Sequence, residues 1–510
     1  MPTLRVLTLG VLLALMTAAC SSAGASPTGA GWVSGSPPVA TTGSGTGASA
    51  PNFVFVLTDD LTWNLVSHMP HVLGLERNGT TFKNYFVTDS LCCPSRTSIL
   101  TGEFPHDDHV FNNIQPHGGF RGFLTAHDEN KTFASSLQAR GYQTGLFGKF
   151  LNAYRPQTSY EGRPAPYIPP GWSAWDAADT HGYNEYNYNL AVGHQLEHFG
   201  SADGDYLTSV LSDKASQFIA GSARAHRPFL AEISTFSPHY PFVPAHRDLG
   251  KFPDAQAPRG PAYGHAVRNA PTWLKKIGPL RPLTERHLTR TFRLRLQAVQ
   301  SVDRMIGRLE AEVRSLGAAK NTYFVFSSDN GLHLGQHDLR QGKETAFDTD
   351  IRVPLIVAGP GVPHGASVTQ LAENIDLAPT FETLAGATPP PTVDGRSLVA
   401  QLRGRAPRGW RTAVLVEHHG PDVAPADPDY PAPRSGNPPS YEAIRTARYL
   451  YVEYSNGQRE FYNLVTDPYE LDNAFSRMPS QLHQRLHDTL LRMEHCHGSV
   501  SCWSAQHIRS

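Results

Sequence analysis

An α/β fold built on a mostly parallel sheet is what this sequence predicts, and three observations carry the prediction. Short unbroken apolar runs recur along the chain, helical patterns lie between them, and polar clusters follow the runs at once. Strands alternating with helices give parallel sheets flanked by helices, and strands buried on both faces read as continuous apolar runs. The first run is Asn52 to Leu57 (NFVFVL), β-branched and aromatic, followed by Thr58-Asp59-Asp60. Similar runs stand at Thr144 to Phe147, Phe229 to Phe236, Tyr323 to Phe326 and Pro354 to Val357. The clearest helix carries Phe292, Leu296, Val299, Val302, Ile306, Leu309 and Val313. Steps of three and four residues make these one apolar stripe over about six turns.

After about residue 385 the pattern changes. Tyr449 to Tyr454 and Arg459 to Leu464 flank Ser455-Asn456-Gly457-Gln458, and Asn-Gly supplies the positive backbone angles of a tight hairpin. An amphipathic stretch with Leu482, Leu486, Leu490 and Met493 follows, then Cys496 and Cys502. Residues 51–385 therefore read as the main domain, and 386–510 as a smaller subdomain with an antiparallel sheet and a terminal helix. Cys496 and Cys502 are close enough to close a small disulfide loop in an exported protein, the alternative being two free thiols.

The 510 residues suit one large domain with an appendage, or two to three domains. Lys+Arg of 44 against Asp+Glu of 45 argues against a nucleic-acid binder or an acidic disordered chain. Gly 44 and Pro 41 fill about a sixth of the chain, so much of it is loop. Cysteine is scarce and odd in number: Cys20, Cys92, Cys93, Cys496 and Cys502 cannot all pair internally.

Arg5, the apolar run from Val6 to Met16 and Thr17-Ala18-Ala19-Cys20 read as an export signal over residues 1–19. The segment resembles a bacterial lipobox, with Thr17 where Leu is typical, so Cys20 is a lipid attachment point. The alternative is a plain signal cut near Ala19, and either way the protein is exported, to the cell surface or beyond. Residues 20–50, rich in Ser, Gly, Thr, Ala and Pro, read as a flexible tether.

In an open α/β sheet, ligands bind beyond the carboxyl ends of the strands. The residues just after each run should therefore meet: Asp59-Asp60, Lys149, Ser237-Pro238-His239 and Ser327-Ser328-Asp329-Asn330-Gly331. Converging carboxylates repel and raise their own pKa values, so a hard divalent cation, Ca2+ or Mg2+, is the economical resolution. The plainer alternative makes Asp59 and Asp329 helix N-caps.

Adjacent Cys92 and Cys93 cannot bridge each other without strain, and they lack the second pair of a zinc site. Two small buried hydrophobes would account for the thiols, but not for the Pro94 and Arg96 beside them. Cys92-x-Pro94-x-Arg96, with its Ser-Leu lead and Thr101-Gly102 tail, resembles the sulfatase signature. LCCPSRTSILTGEFPHDDHVFNN, GLFGKFLN, SPHYP, SSDNG, DTDIRVPLIVAGPG and ENIDLAPT then follow in the order expected of sulfatases. GKFLN, Gly171-Trp172-Ser173, Asp467 to Leu471 and the terminal cysteine pair look most like N-acetylglucosamine-6-sulfatases and heparan endosulfatases.

The resemblance implies an alkaline-phosphatase-like fold and a sulfuric ester hydrolase acting on a sulfated sugar or an aryl sulfate. It implies that a maturation enzyme converts Cys92 to formylglycine (3-oxoalanine), whose hydrate attacks sulfur and passes through a covalent sulfo-enzyme, while Cys93 stays a thiol. It assigns calcium, ahead of magnesium, to Asp59, Asp60, Asp329, Asn330 and the modified Cys92. Arg96 would hold the hydrate, Lys149 and Lys343 the sulfate oxygens, and His239 would protonate the leaving sugar oxygen. The sequence departs from the family at Gly148-Lys149-Phe150-Leu151-Asn152, where many sulfatases carry Gly-Lys-x-His. The base that this histidine provides must then come from elsewhere, and His106, His109, His333 and His337 are candidates. Phosphonate or phosphodiester hydrolysis on the same fold, and non-catalytic binding of sulfated glycans at the cell surface, are the competing readings. The near-neutral charge offers no basic track for a long polymer and favours small or terminal substrates.

Overall fold

The computed structural model describes residues 50–114, 116–425 and 427–509. The export signal, Cys20 and nearly all of the tether lie outside them. The first apolar run forms β1 (Asn52–Thr58), buried throughout. It is followed by β2 (Thr80–Phe82), β3 (Gln143–Gly148), β4 (Ala174–Ala177), β5 (Phe229–Ser234), β6 (Thr322–Ser328), β7 (Leu355–Ala358) and β8 (Ala366–Val368). These make one sheet in the order β8-β2-β7-β6-β1-β5-β3-β4. From β6 to β4 all neighbours run parallel, with Phe53 opposite Leu230 and Tyr323. β7 runs antiparallel to both β6 and β2, so the expected mostly parallel sheet carries one reversed strand.

Alternation along β1 divides the interior into two cores, because successive side chains leave opposite faces of a strand. Phe53, Phe55 and Leu57 join one apolar cluster, which Ile99 and Leu100 of helix α1 (Cys92–Thr101) also enter. Val54 and Val56 join the other, beneath helices α2 (Leu207–Arg224) and α3 (Pro282–Ser315). The predicted stripe from Phe292 to Val313 is the buried face of α3.

The C-terminal region forms a separate antiparallel meander of β9 (Ala413–His418), β10 (Tyr441–Thr446), β11 (Tyr449–Tyr454) and β12 (Arg459–Asn463). Gly457, at φ +80°, makes the predicted hairpin turn between β11 and β12. Val414 and Val416 of β9 pack into the same cluster as Phe53. Ala413 and Leu415 point the other way, onto Leu486 and Leu490 of helix α4 (Ser480–Glu494). Helix α5 (Gly498–Ala505) ends the fold, and Cys496 and Cys502 are joined by a disulfide.

Candidate active site

Cys92 is the first residue of α1, after Leu91 in extended conformation, and every residue of this helix is buried. The helix stops at Gly102, whose φ of +76° suits a left-handed cap. Its N-terminus carries a partial positive charge, which favours an anion; the Cys93 amide donates to Asn113 Oδ1 at 3.0 Å. The loops after β1, β3, β5 and β6 surround that end, as the strand order requires. Asp60 takes φ +62°, uncommon for a residue with a Cβ. Its amide donates to Asp329 Oδ1 at 3.1 Å, and Arg295 donates to its carbonyl. Neither Asp59 nor Asp329 caps a helix: the first helix after β1 is capped at Thr62, and Asp329 instead accepts from Asn330 N at 2.7 Å and Arg96 Nε at 2.8 Å.

The lysines close the ring. Lys149 Nζ lies 2.7 Å from Asp59 Oδ2, and Lys343 Nζ lies 2.9 Å from Asp60 Oδ1 and 2.8 Å from Cys92 Sγ. The Cys92 thiol faces Asp59 Oδ1 at 3.5 Å. Arg96 ties Asp329 to Ser234 Oγ, 2.6 Å from its Nη1, and so braces the acidic cluster, while its buried Nη2 has no hydrogen-bond partner. His239 donates from Nδ1 to the Tyr240 carbonyl at 2.7 Å, and its Nε2 lies 3.6 Å from Asp60 Oδ2.

One member was not anticipated. Asp429, from the loop between β9 and β10, accepts from His239 Nε2 at 2.6 Å and Lys343 Nζ at 2.9 Å, and sits 3.4 Å from Cys92 Sγ. Asn113 Nδ2 donates to it at 2.7 Å and Asn152 Nδ2 at 3.4 Å. Asn113 and Asn152 stand inside the motifs HVFNN and GKFLN and were open to detection there. Asp429 lies among prolines in a loop with no periodic or motif signal.

Charge and burial set the protonation states. Burial works against the His239 cation, but Asp60, Asp59 and Asp429 outweigh it and raise the imidazole to about 9. Burial alone would also raise Asp429; Lys343, His239 and Lys149 overcome it and hold the carboxylate well below its usual range. Burial, reinforced by Asp429, pushes the Cys92 thiol well up despite Lys149 and Lys343. The unmodified side chain is thus a neutral thiol and a poor nucleophile. Cys93 sits in the apolar core with its thiol raised to about 12, chiefly by burial.

Asp59, Asp60, Cys92 and His239 bring one ligand atom each within 4.8 Å of one another, all buried. Asn330 donates to Asp60 Oδ1 at 2.6 Å, while its own buried Oδ1 has no partner. Buried carboxylate oxygens and an orphaned amide oxygen are the donor set of a hard cation, so these residues fit a divalent metal.

The four histidines considered as substitute bases are occupied elsewhere, and among the described residues none hydrogen-bonds to Cys92. His106 sits between Glu417 and the Cys496 carbonyl, each at 2.9 Å. His109 caps the short helix Pro105–Asp108 in left-handed conformation. His333 bridges Asp350 and the Ser435 carbonyl, each at 2.8 Å. His337 stacks on Phe347, and burial lowers it to about 3.

Known proteins bear on the same stretch of chain. Residues 51–387 match the family model described as Sulfatase, and residues 335–495 the one described as N-sulphoglucosamine sulphohydrolase, C-terminal. An N-acetylglucosamine-6-sulfatase of Capra hircus is 33% identical over 487 residues, covering 89% of this chain and 85% of that protein. An arylsulfatase of Volvox carteri is 31% identical over 514 residues, covering 90% of this chain and 77% of that protein. A solved structure of a protein in complex with its substrate D-glucosamine-2-N,6-O-disulfate superposes with a TM-score of 0.74 at 23% identity, over 87% of this chain and 97% of that one. A phosphonate monoester hydrolase of Agrobacterium radiobacter shares the fold too, with a TM-score of 0.67 at 21% identity, over 86% and 94% of the two chains. Family model and curated relatives agree across the very segments that build the buried pocket, and the chain belongs to the sulfatase family.

Proposed function

We propose that this sulfatase hydrolyses the 6-sulfate ester of an N-acetylglucosamine-type sugar, and simple aryl sulfates besides, with position 92 as formylglycine. The carrying observation is the position of Cys92 Sγ, fully buried at a helix N-terminus, 2.8 Å from Lys343 Nζ and beside the Asp59–Asp60 cluster. Formylglycine there would supply a hydroxyl of its hydrate as nucleophile, and Ca2+, ahead of Mg2+, would supply positive charge opposite the sulfate oxygens. Asp59, Asp60, Asp329, Asn330 and the side chain at position 92 would hold that ion.

The chain's own residues do the rest. Lys149 and Lys343 hold sulfate oxygens as charge shifts toward the leaving group, an effect strengthened where water is excluded. His239, raised to about 9, holds a proton at Nε2 for the departing sugar oxygen, while the Tyr240 carbonyl fixes its ring. Asp429 engages Lys343, His239, Asn113 and Asn152, the donors that a sulfate group would use. An ester must displace this carboxylate to reach position 92. Cys92 is closed off in the folded protein, so the maturation enzyme meets it before folding is complete.

Export is supported by the disulfide, a bond of oxidising compartments. Among the described residues no helix is long and apolar enough to cross a membrane, and lipid at Cys20 is the proposed membrane attachment.

The test is mass spectrometry of the peptide containing Cys92 after expression with a formylglycine-generating enzyme, joined to assays on nitrophenyl sulfate and nitrophenyl phosphonate esters. Loss of the thiol mass and faster sulfate turnover are expected. A thiol at position 92 in active protein refutes the nucleophile, and a clear phosphonate preference refutes the substrate class.

A further inference from the structure

A cavity of about 840 Å³ adjoins the anion pocket, and two sets of charged residues line it. Asp60, His239, Lys343 and Asp429 are one set. Arg286, Arg290 and Arg340 are the other. Arg286 and Arg290 are four residues apart on α3 and share one helix face, a spacing at which like charges destabilise a helix. Glu285, the acid of that turn, turns away to Arg259 at 3.1 Å. Among the described residues the three arginine side chains have no carboxylate partner. Arg286 and Arg290 are exposed, so their guanidinium groups are open to an anion entering the cavity from solvent.

The carboxylates lining the cavity do not offset the arginines. Asp60 and Asp429 are held by Lys343 and His239. Glu344 is 1% exposed, and burial, with Asp422 and Asp429, pushes its carboxyl well up. Arginine presents a planar fork that pairs with sulfate or carboxylate through two hydrogen bonds. Arg340 and Lys343 stand three residues apart, at most about 11 Å between Cα atoms, and both line this one cavity, so one oligosaccharide in it can present an anion to each. Tyr240 and Tyr430, 58% and 43% exposed, line the same cavity and offer faces on which sugar rings can stack.

We infer that Arg286, Arg290 and Arg340 form a second anion subsite, which takes a further sulfate or carboxylate of the same substrate molecule. The preferred substrate is then a multiply charged oligosaccharide rather than a singly sulfated sugar. This rests on the sulfatase reading above and adds the group that is recognised but not cleaved.

Four substrates test it: nitrophenyl sulfate, a disaccharide with one 6-sulfate on N-acetylglucosamine, the same with a second sulfate, and the same with a uronate carboxylate. Wild-type enzyme should show a KM about tenfold lower for a doubly charged disaccharide than for the singly sulfated one, a gain that shrinks as salt rises. R286Q/R290Q and R340Q should each lose most of that gain while holding nitrophenyl sulfate kinetics within about twofold. A gain from the second sulfate alone assigns the subsite to sulfate; an equal gain from the uronate shows that it reads charge. Equal KM values for singly and doubly charged disaccharides in the wild type overturn the inference, as do variants that slow nitrophenyl sulfate as much as the charged disaccharides. Calorimetric titration of the disaccharides into Cys92→Ala protein gives the same ranking without turnover. An inactive wild-type enzyme would therefore refute the sulfatase reading while leaving the subsite to be judged by binding.

Discussion

At the scale of single residues, the two adjacent cysteines show how position decides chemistry. Cys93 faces the core beside Ile99 and Phe120, whereas Cys92, one residue earlier, faces two lysines and the acidic cluster. A turn of about 100° per residue around the helix separates a thiol in the apolar core from the side chain proposed as the nucleophile. Asp429 makes a prediction at this scale. If its carboxylate competes with the ester for Lys343 and His239, Asp429→Asn should lower KM for nitrophenyl sulfate, and the inhibition constant of inorganic sulfate, by about tenfold. A fall in kcat with KM unchanged would instead make Asp429 a positioning group for His239. The spacing of Cys92, Pro94 and Arg96 made the signature legible, because it lies within one helical turn. Asp429 was not legible, because it arrives from 337 residues downstream in a loop whose path only the packing sets.

At the scale of elements, the site depends on how the C-terminal meander is docked. Its inner face, through Val414 and Val416, belongs to the main core, and this places the β9–β10 loop over Cys92. His106 fastens the same joint from the other side. Its two ring nitrogens face Glu417 and the Cys496 carbonyl, both acceptors, so only the imidazolium can donate to both. Burial opposes that charge, but Glu417, the Cys496 carbonyl and Asp107 raise the group to about 9. A group raised on folding stabilises fully below its unfolded value of about 6.5, and the contribution fades as pH climbs through about 9. The melting temperature of the wild type should accordingly decline over that window, by the equivalent of about 3 kcal/mol. His106→Gln should start lower and fall less steeply; parallel curves would remove His106 from the account. The hairpin turn and the amphipathic α4 were readable from local pattern. The docking of β9 was not, since Ala413 to His418 are buried on both faces and alternation cannot say which face meets which core.

At the scale of the whole molecule, the pocket gathers charges that the fold must keep compensated. Asp59, Asp60, Asp329 and Asn330 are all within 2% of complete burial, and without the proposed cation that cluster would be left to Lys149, Lys343, Arg96 and His239. A chelator should therefore lower both activity and melting temperature, and saturating Ca2+ should restore both. At one hundred times the dissociation constant, binding is worth about 2.7 kcal/mol. Unchanged melting in chelator would show that the lysines suffice, and better restoration by Mg2+ would reverse the choice of ion. The sequence by itself determined the strand runs, the α/β class, the metal-type residues after β1 and β6 and the Cys92 signature, and it offered the terminal disulfide as one of two states of Cys496 and Cys502. Each of these is a local matter: periodicity, adjacency and short spacing are properties of neighbouring residues. Only the tertiary structure decided that β7 runs antiparallel, that Asp429 enters the anion pocket, that Arg96 braces Asp329, and that Arg286, Arg290 and Arg340 line one cavity with Lys343. Those facts depend on which distant segments pack together, and packing is settled by burial summed over the whole chain rather than by any stretch of it.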